Sequence, residues 1–534
     1  MTIPAAWAEA RELTADEQVA HALSRLAFGA RPGDLARVRR VGVDRWIGQQ
    51  LRPEQIDDHE MTSTLARAYT TLKKGANELI RDYPPPNILR AQARRAGDQI
   101  SADDSLKFRE AARASQRIIA EVQSAKVARA VSSERQLEEV LVDFWENHFT
   151  VFAGKGPQMR YQLVEYSRDA IRPHAFGKFR DLLGAVAQSP AMLTYLDNWQ
   201  SMADSGQPTL REMRGRPVGI ARRRRGLNEN YARELLELHT LGVDGGYKQE
   251  DVIQVARALT GWSIRPGNGF VFRPEMHDVS EKTVLGHRLA AGRGIEDGEN
   301  VLDIVARHPS TARHIATKLA RRLVSDLPPP ALVDRAAETF MRTDGDIRET
   351  VRIIIASPEF WSRAAYRSKV KSPFEVVVSA ARALGAEPDT TPRTALAIAM
   401  LGQPIYGHQA PDGWPETGSE WMNTGAILNR INFGTAVAAG RLPGVRVSSL
   451  PGATELRAAS RERQVDAVIS MFFAGAVSPD TRAVLMSGEN PLAAAAGSAV
   501  GNDEGRAMTR RAPNLTGLDQ IVGLALGAPE FQRR

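Results

Sequence analysis

Residues 228–241 read NENYARELLELHTL, and this stretch decides which kind of fold the sequence encodes. At about 100° per residue, Leu235, Leu236 and Leu238 spread around more than one side of a helix. A helix that is apolar on more than one face is expected to lie inside a protein, surrounded by other elements. The stretch therefore predicts a buried helix within a larger helical assembly.

The rest of the chain continues this pattern. Apolar residues recur at helical spacing along most of the 534 residues, and alternating, strand-like runs are rare. One strand is predicted in GFVFRPEMHD at 269–278, where Pro274 ends it, and it can pair with KTVLG at 282–286. We therefore expect a mainly α fold, a large multi-helix bundle-like domain with one small β-hairpin insertion at 269–286.

Two helix starts are marked by capping residues. Ser133 is followed three positions later by Gln136, and Ser372 is followed by Pro373 and Glu375. In such a pair a hydroxyl and a reciprocating side chain bind amide groups that the first turn leaves without partners. The pattern predicts that helices begin at these two serines.

Changes in composition suggest how the chain is organised. A helical domain is expected over 15–440, and its Arg- and Ala-rich part at 60–130 is predicted to be a peripheral helical hairpin interrupted by prolines at 84–86. From 441 the sequence becomes rich in Pro, Gly and Ser. We therefore predict that 441–534 is a linker followed by a C-terminal helical segment that packs back on the main body.

Composition also limits the class of function. The formal charge of +7 is spread over many segments, whereas nucleic-acid-binding proteins concentrate basic residues on one face. We interpret the one dense basic run, ARRRRG at 221–226, as a solvated loop, the alternative being a contact for phosphate or an acidic surface, and nucleic-acid binding through it ranks last among the hypotheses. The absence of cysteine excludes disulfides, thiolate ligands and cysteine nucleophiles.

No stretch of sequence approaches the roughly eighteen consecutive apolar residues that a membrane-spanning helix needs. PLAAAAGSAVG at 491–501 comes nearest and is too short. The opening MTIPAAWAEARELTADEQ lacks a basic region followed by an apolar one, so no signal peptide is predicted. We therefore expect no membrane span.

One histidine lies on the buried side of the helix predicted after Ser133. Leu137, Leu141, Phe144 and His148 fall at i, i+4, i+7 and i+11, which places them on one apolar stripe. A buried imidazole needs partners for its ring nitrogens. His148 is therefore either a core histidine bonded to the backbone or a metal ligand.

Glu234 and Glu237 share one side of the 228–241 helix. Because that helix is expected to be buried, at least one of the two carboxylates needs a metal, a cation or several hydrogen-bond donors. The alternative to a metal is a buried ion pair with an arginine, and Arg233 and Arg257 are near in sequence. His239 lies ~140° from Glu234 around a regular helix, so it is expected to contact a neighbouring element.

His277 and Asp278 follow the predicted strand. Such a pair can supply a nitrogen and an oxygen ligand, or a base and its orienting acid, although a turn capped by the aspartate is the alternative. With His148, Glu234 and Glu237 they form a set of donors suited to zinc, iron or manganese. We therefore predict Glu234, Glu237 and Asp278 as acid–base groups, and His148, Glu234 and His277 as ligands of a divalent metal.

The segment DGWPETGSEWMNTGAILNRINF at 412–433 places two tryptophans in a Gly- and Pro-rich loop that leads into a helix. Aromatic rings in such a loop can roof a cleft or simply anchor the loop. The polar side chains beside them are Glu416, Glu420 and Asn423. We interpret Trp414, Trp421 and Asn423 as candidate substrate-binding residues.

Several phrases of the sequence occur together in a fixed order over roughly residues 17 to 434. They are SRLAFGARPGDL, FWENHF, NENYARELLELHTLGVDGGY, ARALTGW, FRPEMHD, HPSTARHIATKLARRLV, KSPFEVV, DGWP and WMNTGAILNRINF. With these phrases the chain resembles the bacterial domain-of-unknown-function 1800 family (DUF1800), and GAPEFQRR at 527–534 resembles a family ending.

The resemblance implies a cellular setting but does not name a reaction. Members of the family often look exported, so it favours export or the cell envelope, and their genes commonly accompany a family that resembles sulfatases and phosphatases. Two hypotheses follow. The protein is either a metal-dependent hydrolase or oxidoreductase, or a non-catalytic cell-envelope partner of a sulfatase- or phosphatase-like protein.

Overall fold

The computed structural model describes residues 7, 9–95, 101–213, 226–265, 267, 269–489 and 515–534. Within these residues the protein is mainly α, as predicted, with 25 α-helices and two antiparallel strand pairs. The helices are α1 Ala15–Arg25, α2 Asp34–Val41, α3 Val43–Gln50, α4 His59–Ala68, α5 Ala76–Asp82, α6 Pro86–Arg95, α7 Ala102–Ser132, α8 Gln136–His148, α9 Met159–Glu165, α10 Phe179–Ala187, α11 Pro190–Tyr195, α12 Leu210–Met213, α13 Glu229–Glu234, α14 Gln249–Ala258, α15 Glu296–Ala306, α16 Pro309–Leu323, α17 Pro330–Arg342, α18 Ile347–Ala356, α19 Pro373–Ala383, α20 Arg393–Met400, α21 Thr424–Ala438, α22 Ala453–Ala458, α23 Arg461–Phe473, α24 Pro479–Ser487 and α25 Gly517–Gly527.

The fold-deciding stretch forms two helical pieces. Asn228 caps α13 by accepting a hydrogen bond from the amide of Tyr231, and a π-helical turn at Leu235–Thr240 continues it. Leu235 and Leu236 are buried as predicted. A π-turn places successive side chains at angles different from those of a regular α-helix, so the α-helical angle between Glu234 and His239 does not apply here.

The predicted strand is correct, but its predicted partner is wrong. The strand β2, Gly269–Phe272, pairs with β1, Trp262–Arg265, which precedes it. The strand β3, Lys282–Val284, pairs instead with β4, His287–Leu289. Leu285 and Gly286, both with positive φ, form the tight two-residue turn that joins the last two strands, which is why they pair with each other.

One of the two predicted helix starts is confirmed and the other is shifted. Ser372 caps α19 together with Glu375, in the reciprocal arrangement that the sequence predicted. The helix after Ser133 begins only at Gln136, because the Gln136 side chain donates to carbonyl oxygens, including that of Ser133, and does not bind the Ser133 amide. The Ser133 hydroxyl accepts from the amide of Arg135 and donates to Asp58.

Buried apolar residues from Leu13 to Phe531 form one continuous core through the described residues. The helix α25 packs on α21 and α23. At Gly434 a Cβ atom would lie 2.7 Å from the carbonyl oxygen of Gly523, so only glycine permits this close approach of α21 and α25. The predicted division of the chain at 440, and the peripheral status of 60–130, stay predictions.

Two sequence predictions concern residues that lie outside the described part of the chain. These are the basic run at 221–226, apart from Gly226, and the apolar run at 491–501. Among the described residues, no helix has the length and apolar character needed to cross a membrane.

Candidate functional site

A small polar cavity lies where α7, α8, α16 and the start of α19 meet the loop between α20 and α21. Its volume is about 50 Å³. Asp143, Glu146 and Asn147 face it from α8, since residues three and four positions apart share one side of a helix. The loop contributes Trp414, Glu416 and Trp421, among other residues.

Arg322 joins three of the elements around this cavity. Its guanidinium nitrogens lie 2.9 Å from Asp143 Oδ2, 3.2 Å from Glu375 Oε1 and 3.3 Å from Glu416 Oε1. Burial alone would lower the pKa of Arg322, but the three carboxylates outweigh it and raise that pKa. The guanidinium therefore stays charged and ties α8, α16, α19 and the loop together.

Two further cations complete this network. Lys126 Nζ lies 2.8 Å from both Asp143 and Glu146, and Arg534 Nε lies 3.1 Å from Glu375 Oε1. Burial alone would raise the pKa values of Asp143 and Glu375, but the neighbouring cations lower both. These two carboxylates are therefore ionised at neutral pH and are poor proton acceptors.

The loop between α20 and α21 is held against α8 by the side-chain amide of Asn147, and it approaches α8 closely at Gly413. The Asn147 side chain exchanges hydrogen bonds with the backbone of Trp414. At the preceding Gly413, which has φ +77°, an added Cβ would overlap the carbonyl oxygen of Asn147. Both the positive φ and the close approach require glycine at this position.

The two predicted tryptophans line the cavity. Their ring centroids are 6.0 Å apart, and the Trp421 indole N–H donates to the carbonyl of Pro415 at 3.0 Å. Trp421 is nearly buried, whereas Trp414 is half-buried and has the ring of His408 4.6 Å away. The third predicted residue, Asn423, caps α21 by accepting from the Ala426 amide. A substrate-binding role for these residues stays a prediction.

His148 lies in an aromatic part of the core. Its Nε2 is 3.1 Å from the carbonyl oxygen of His239, and its Nδ1 has no partner among the described residues. The rings of His239 and His314 are 6.3 and 6.2 Å from it, between centroids. Burial, followed by the charge of Lys318, lowers the pKa of His148 well below its usual value. The histidine is therefore neutral and bonded to the backbone.

Glu234 and Glu237 are half-buried. Neither predicted arginine pairs with them, because Arg233 donates to Gln249 and Arg257 binds Asp278. Glu237 accepts from the Tyr247 hydroxyl at 3.0 Å. Burial, followed by the charge of Glu237, raises the pKa of Glu234.

Asp278 and His277 are fully buried. Arg257 Nε lies 2.8 Å from Asp278 Oδ2, and although burial opposes it, this bond lowers the pKa of Asp278. His277 Nδ1 is 2.8 Å from the Thr260 carbonyl oxygen, and Nε2 is 3.4 Å from Asp297 Oδ2. Because Asp278 is neutralised by an arginine, its surroundings are those of a structural ion pair.

The predicted metal ligands do not come together. Over the described residues, no group of three or more His, Asp or Glu side chains is placed to hold a metal ion. His148 lies beside other histidines, Glu234 beside Glu237, and His277 beside Asp297. The metal-binding and acid–base roles of these residues stay predictions, but they do not describe one shared site.

Sequence reasoning missed most of the charged cavity wall. The spacing of Asp143, Glu146 and Asn147 on one side of α8 was a usable signal, since it places three polar side chains beside the apolar stripe of that helix. No local pattern marked Lys126 or Arg534, because each meets its partners only through packing.

Six of the phrases that resemble the family contribute to the cavity wall. They are FWENHF through Glu146 and Asn147, HPSTARHIATKLARRLV through Arg322, KSPFEVV through Ser372, Phe374 and Glu375, DGWP through Trp414 and Pro415, WMNTGAILNRINF through Trp421, and GAPEFQRR through Arg534.

Comparison with protein families gives a match over nearly the whole chain. A family model described as "Protein of unknown function (DUF1800)" matches residues 21–533. No curated protein and no solved structure matches the chain.

Proposed function

Because the chain belongs to the DUF1800 family, which is described as a family of unknown function, we propose a function from the geometry of the cavity: the protein binds a neutral, hydroxyl-rich ligand such as a sugar unit. The observation that carries this proposal is the half-buried Trp414 ring beside a polar cavity whose charged groups are largely paired with one another.

The aromatic ring suits one face of such a ligand. A sugar ring presents C–H groups on one face and hydroxyls around its edge, and an indole offers a large apolar surface with few rotatable bonds. Trp421 packs close to Trp414, and the Asn147 amide fixes the backbone of Trp414. The platform is therefore formed before a ligand arrives, which reduces the entropic cost of binding.

The charges of the wall suit a neutral ligand. Three cations, Lys126, Arg322 and Arg534, lie among four carboxylates, those of Asp143, Glu146, Glu375 and Glu416, and nearly all of their charge is compensated within the network. A charged ligand would compete with these ion pairs, and a buried charge that loses its partner is costly. A hydroxyl both donates and accepts, so it can bind carboxylates and guanidinium groups without displacing an ion pair.

The size of the cavity limits what enters it. A volume of about 50 Å³ admits a few water molecules or one hydroxymethyl group. We therefore expect a hydroxyl-bearing arm of the ligand to enter the cavity while its ring packs on Trp414.

Binding can be tested with defined sugars. Glucose, galactose, N-acetylglucosamine and cellobiose are titrated into the protein by calorimetry, with wild type, Trp414→Ala and Trp7→Phe compared. Trp7 is a half-buried tryptophan that packs on Arg335, away from the cavity, and serves as the matched control. We expect at least one sugar to bind wild type and Trp7→Phe alike, and about tenfold more weakly to Trp414→Ala. The absence of binding to wild type up to about 10 mM for the whole panel would reject the proposal.

An enzymatic role is the second candidate, and the raised pKa of Glu234 favours it. Hydrolysis of a glycosidic bond requires a carboxylic acid that protonates the leaving group, and a raised pKa suits a carboxyl group to that role. Nitrophenyl glycosides provide the assay. Glu234→Gln should abolish any turnover, and Glu237→Gln should shift the limb of the pH profile that reports Glu234 to lower pH, because it removes a charge that raises the pKa of Glu234. Turnover that survives Glu234→Gln would remove this candidate.

Roles as a metal enzyme or as a partner of a sulfatase- or phosphatase-like protein stay predictions.

A further inference from the structure

A second cavity lies on the other side of the Lys369–Lys371 segment, between α1, α19, the end of α23 and the turn at Phe531. Its volume is about 80 Å³. One part of its wall is cationic, with Lys371, Arg367 and Arg533. Another part is apolar, with Leu35, Met471, Phe472 and Phe531.

Lys371 is unusual because it is buried with little compensation. Lys371 is only 7% exposed. Its Nζ donates a hydrogen bond to Ser379 Oγ at 3.0 Å and lies 4.1 Å from the centroid of the Phe531 ring. An ammonium group has three donors, so the single hydrogen bond satisfies only part of its capacity. Nearby Lys369 differs, since it forms an ion pair with Asp326.

Arg367 and Arg533 also lack carboxylate partners, whereas Arg534, which lines this cavity too, pairs with Glu375. Arg367 donates to the carbonyl oxygens of Phe473 and Ala476, and Arg533 donates weakly to the carbonyl of Ser368. Across the described part of the chain, no carboxylate forms an ion pair with Lys371, Arg367 or Arg533. Glu530, which also lines the cavity, accepts hydrogen bonds from the Ser478 amide and the Thr481 hydroxyl instead.

A buried ammonium group that forms no ion pair with a carboxylate favours an anion in the cavity beside it. Burial lowers the pKa of Lys371 to about 7, with Glu375 opposing this effect and Arg534, Arg430 and Arg367 adding to it. A bound anion would add to the partial compensation that Glu375 gives Lys371. The apolar side of the wall requires that the anion also carry an apolar part.

We infer that the second cavity binds a small carboxylate with a short apolar body. The carboxylate is held by Lys371, whose ammonium group Ser379 Oγ orients, and the apolar body packs against Phe531, Met471 and Leu35. This site is independent of the sugar-binding proposal, because the two cavities share only Arg534 among their lining residues.

The test uses the full chain and three probes, sodium butyrate, acetate and inorganic phosphate, at matched ionic strength. We expect butyrate to raise the thermal unfolding midpoint and to bind saturably by calorimetry, more tightly than acetate or phosphate. Lys371→Met should weaken butyrate binding about tenfold or more, and Ser379→Ala should weaken it less. Lys107→Met, which removes an exposed lysine from α7, should change it by less than about twofold.

Three results would overturn the inference: no saturable binding of butyrate, phosphate binding as tight as butyrate, or unchanged binding to Lys371→Met. Should Lys371→Met fail to fold, labelling of the wild type with an amine-acylating reagent provides the answer. Butyrate should slow the labelling of Lys371, followed by peptide mass spectrometry, and leave that of Lys107 unchanged. Equal labelling of Lys371 with and without butyrate would also reject the site.

Discussion

Asn147 and Trp414, separated by 267 residues in sequence, are joined by a reciprocal pair of hydrogen bonds. The Asn147 side-chain Nδ2 donates to the Trp414 carbonyl oxygen at 2.8 Å, and the Trp414 amide donates to Asn147 Oδ1 at 2.7 Å. The side chain of Asn147 therefore binds both backbone groups of Trp414, as a neighbouring strand would, and fixes the loop between α20 and α21 on α8.

Replacing Asn147 with aspartate should break half of this pair. The carboxylate can still accept from the Trp414 amide, but it cannot donate to the Trp414 carbonyl and adds a negative charge one position from Glu146. We expect a loss of about 1–3 kcal/mol in the free energy of unfolding, measured by urea denaturation.

Asn423→Asp is the matched control for that change. Asn423 caps α21, and aspartate caps a helix about as well as asparagine does. It should therefore unfold like the wild type. A similar loss in both variants would show that the Asn147–Trp414 pair has no special importance.

Gly413→Ala should destabilise the loop through two effects. The backbone has φ +77°, and an added Cβ would overlap the carbonyl of Asn147. Gly440→Ala isolates the first effect, because Gly440 has φ +71° and no atom within 4 Å of an added Cβ. We expect Gly440→Ala to cost about 1 kcal/mol and Gly413→Ala about 2–4 kcal/mol in urea denaturation. Equal costs would mean that the loop moves away without penalty.

Arg322→Met should be among the most damaging single changes. It leaves Asp143, Glu375 and Glu416 without their shared cation, and breaking a buried ion pair from one side typically costs about 3–5 kcal/mol. Arg313→Met removes an exposed arginine of the same helix, α16, paired with Asp334, and should cost less than about 1 kcal/mol. The free energy of unfolding of both variants checks this; a small effect of Arg322→Met would show that the network relaxes.

The free energy of unfolding should decrease as the pH is lowered below the ordinary pKa of histidine. Burial lowers the pKa of His239 to about 3 and that of His314 to about 4, with Lys318 adding to both. Below about pH 6.5 the unfolded chain binds protons at these residues while the folded protein does not, so acid favours unfolding. Each histidine contributes a slope of at most about 1.4 kcal/mol per pH unit, and the loss continues down to about pH 4 for His314 and about pH 3 for His239.

The variant His239→Gln should reduce this slope between pH 6 and pH 4, measured by urea denaturation at each pH. His59→Gln, at an exposed position on α4, controls for the loss of a histidine elsewhere. A slope in His239→Gln as steep as in the wild type would contradict the prediction.

Much of the fold could be read from local pattern. Helical spacing of apolar residues predicted the mainly α fold, and the Ser372–Glu375 pair predicted the start of α19. Ser133 shows the limit of this reasoning. The Ser133 hydroxyl donates to Asp58, the Gln136 side chain donates to carbonyl groups, and the helix begins only at Gln136. A capping residue indicates where a helix can begin, but competing partners decide where it does.

The sequence alone determined that two tryptophans stand in a loop leading into a helix and that Glu234 and Glu237 are neighbours on one helical turn. Only the tertiary structure decided which charges meet. Arg257 is near Glu234 in sequence but forms its ion pair with Asp278. Arg322 binds Glu416 and Asp143, which are 94 and 179 residues away in sequence. Spacing along a helix fixes the side on which a charge lies, because that geometry is local. The partner of that charge depends on how distant elements pack, and a buried carboxylate is stabilised by whichever cation the packing brings to it.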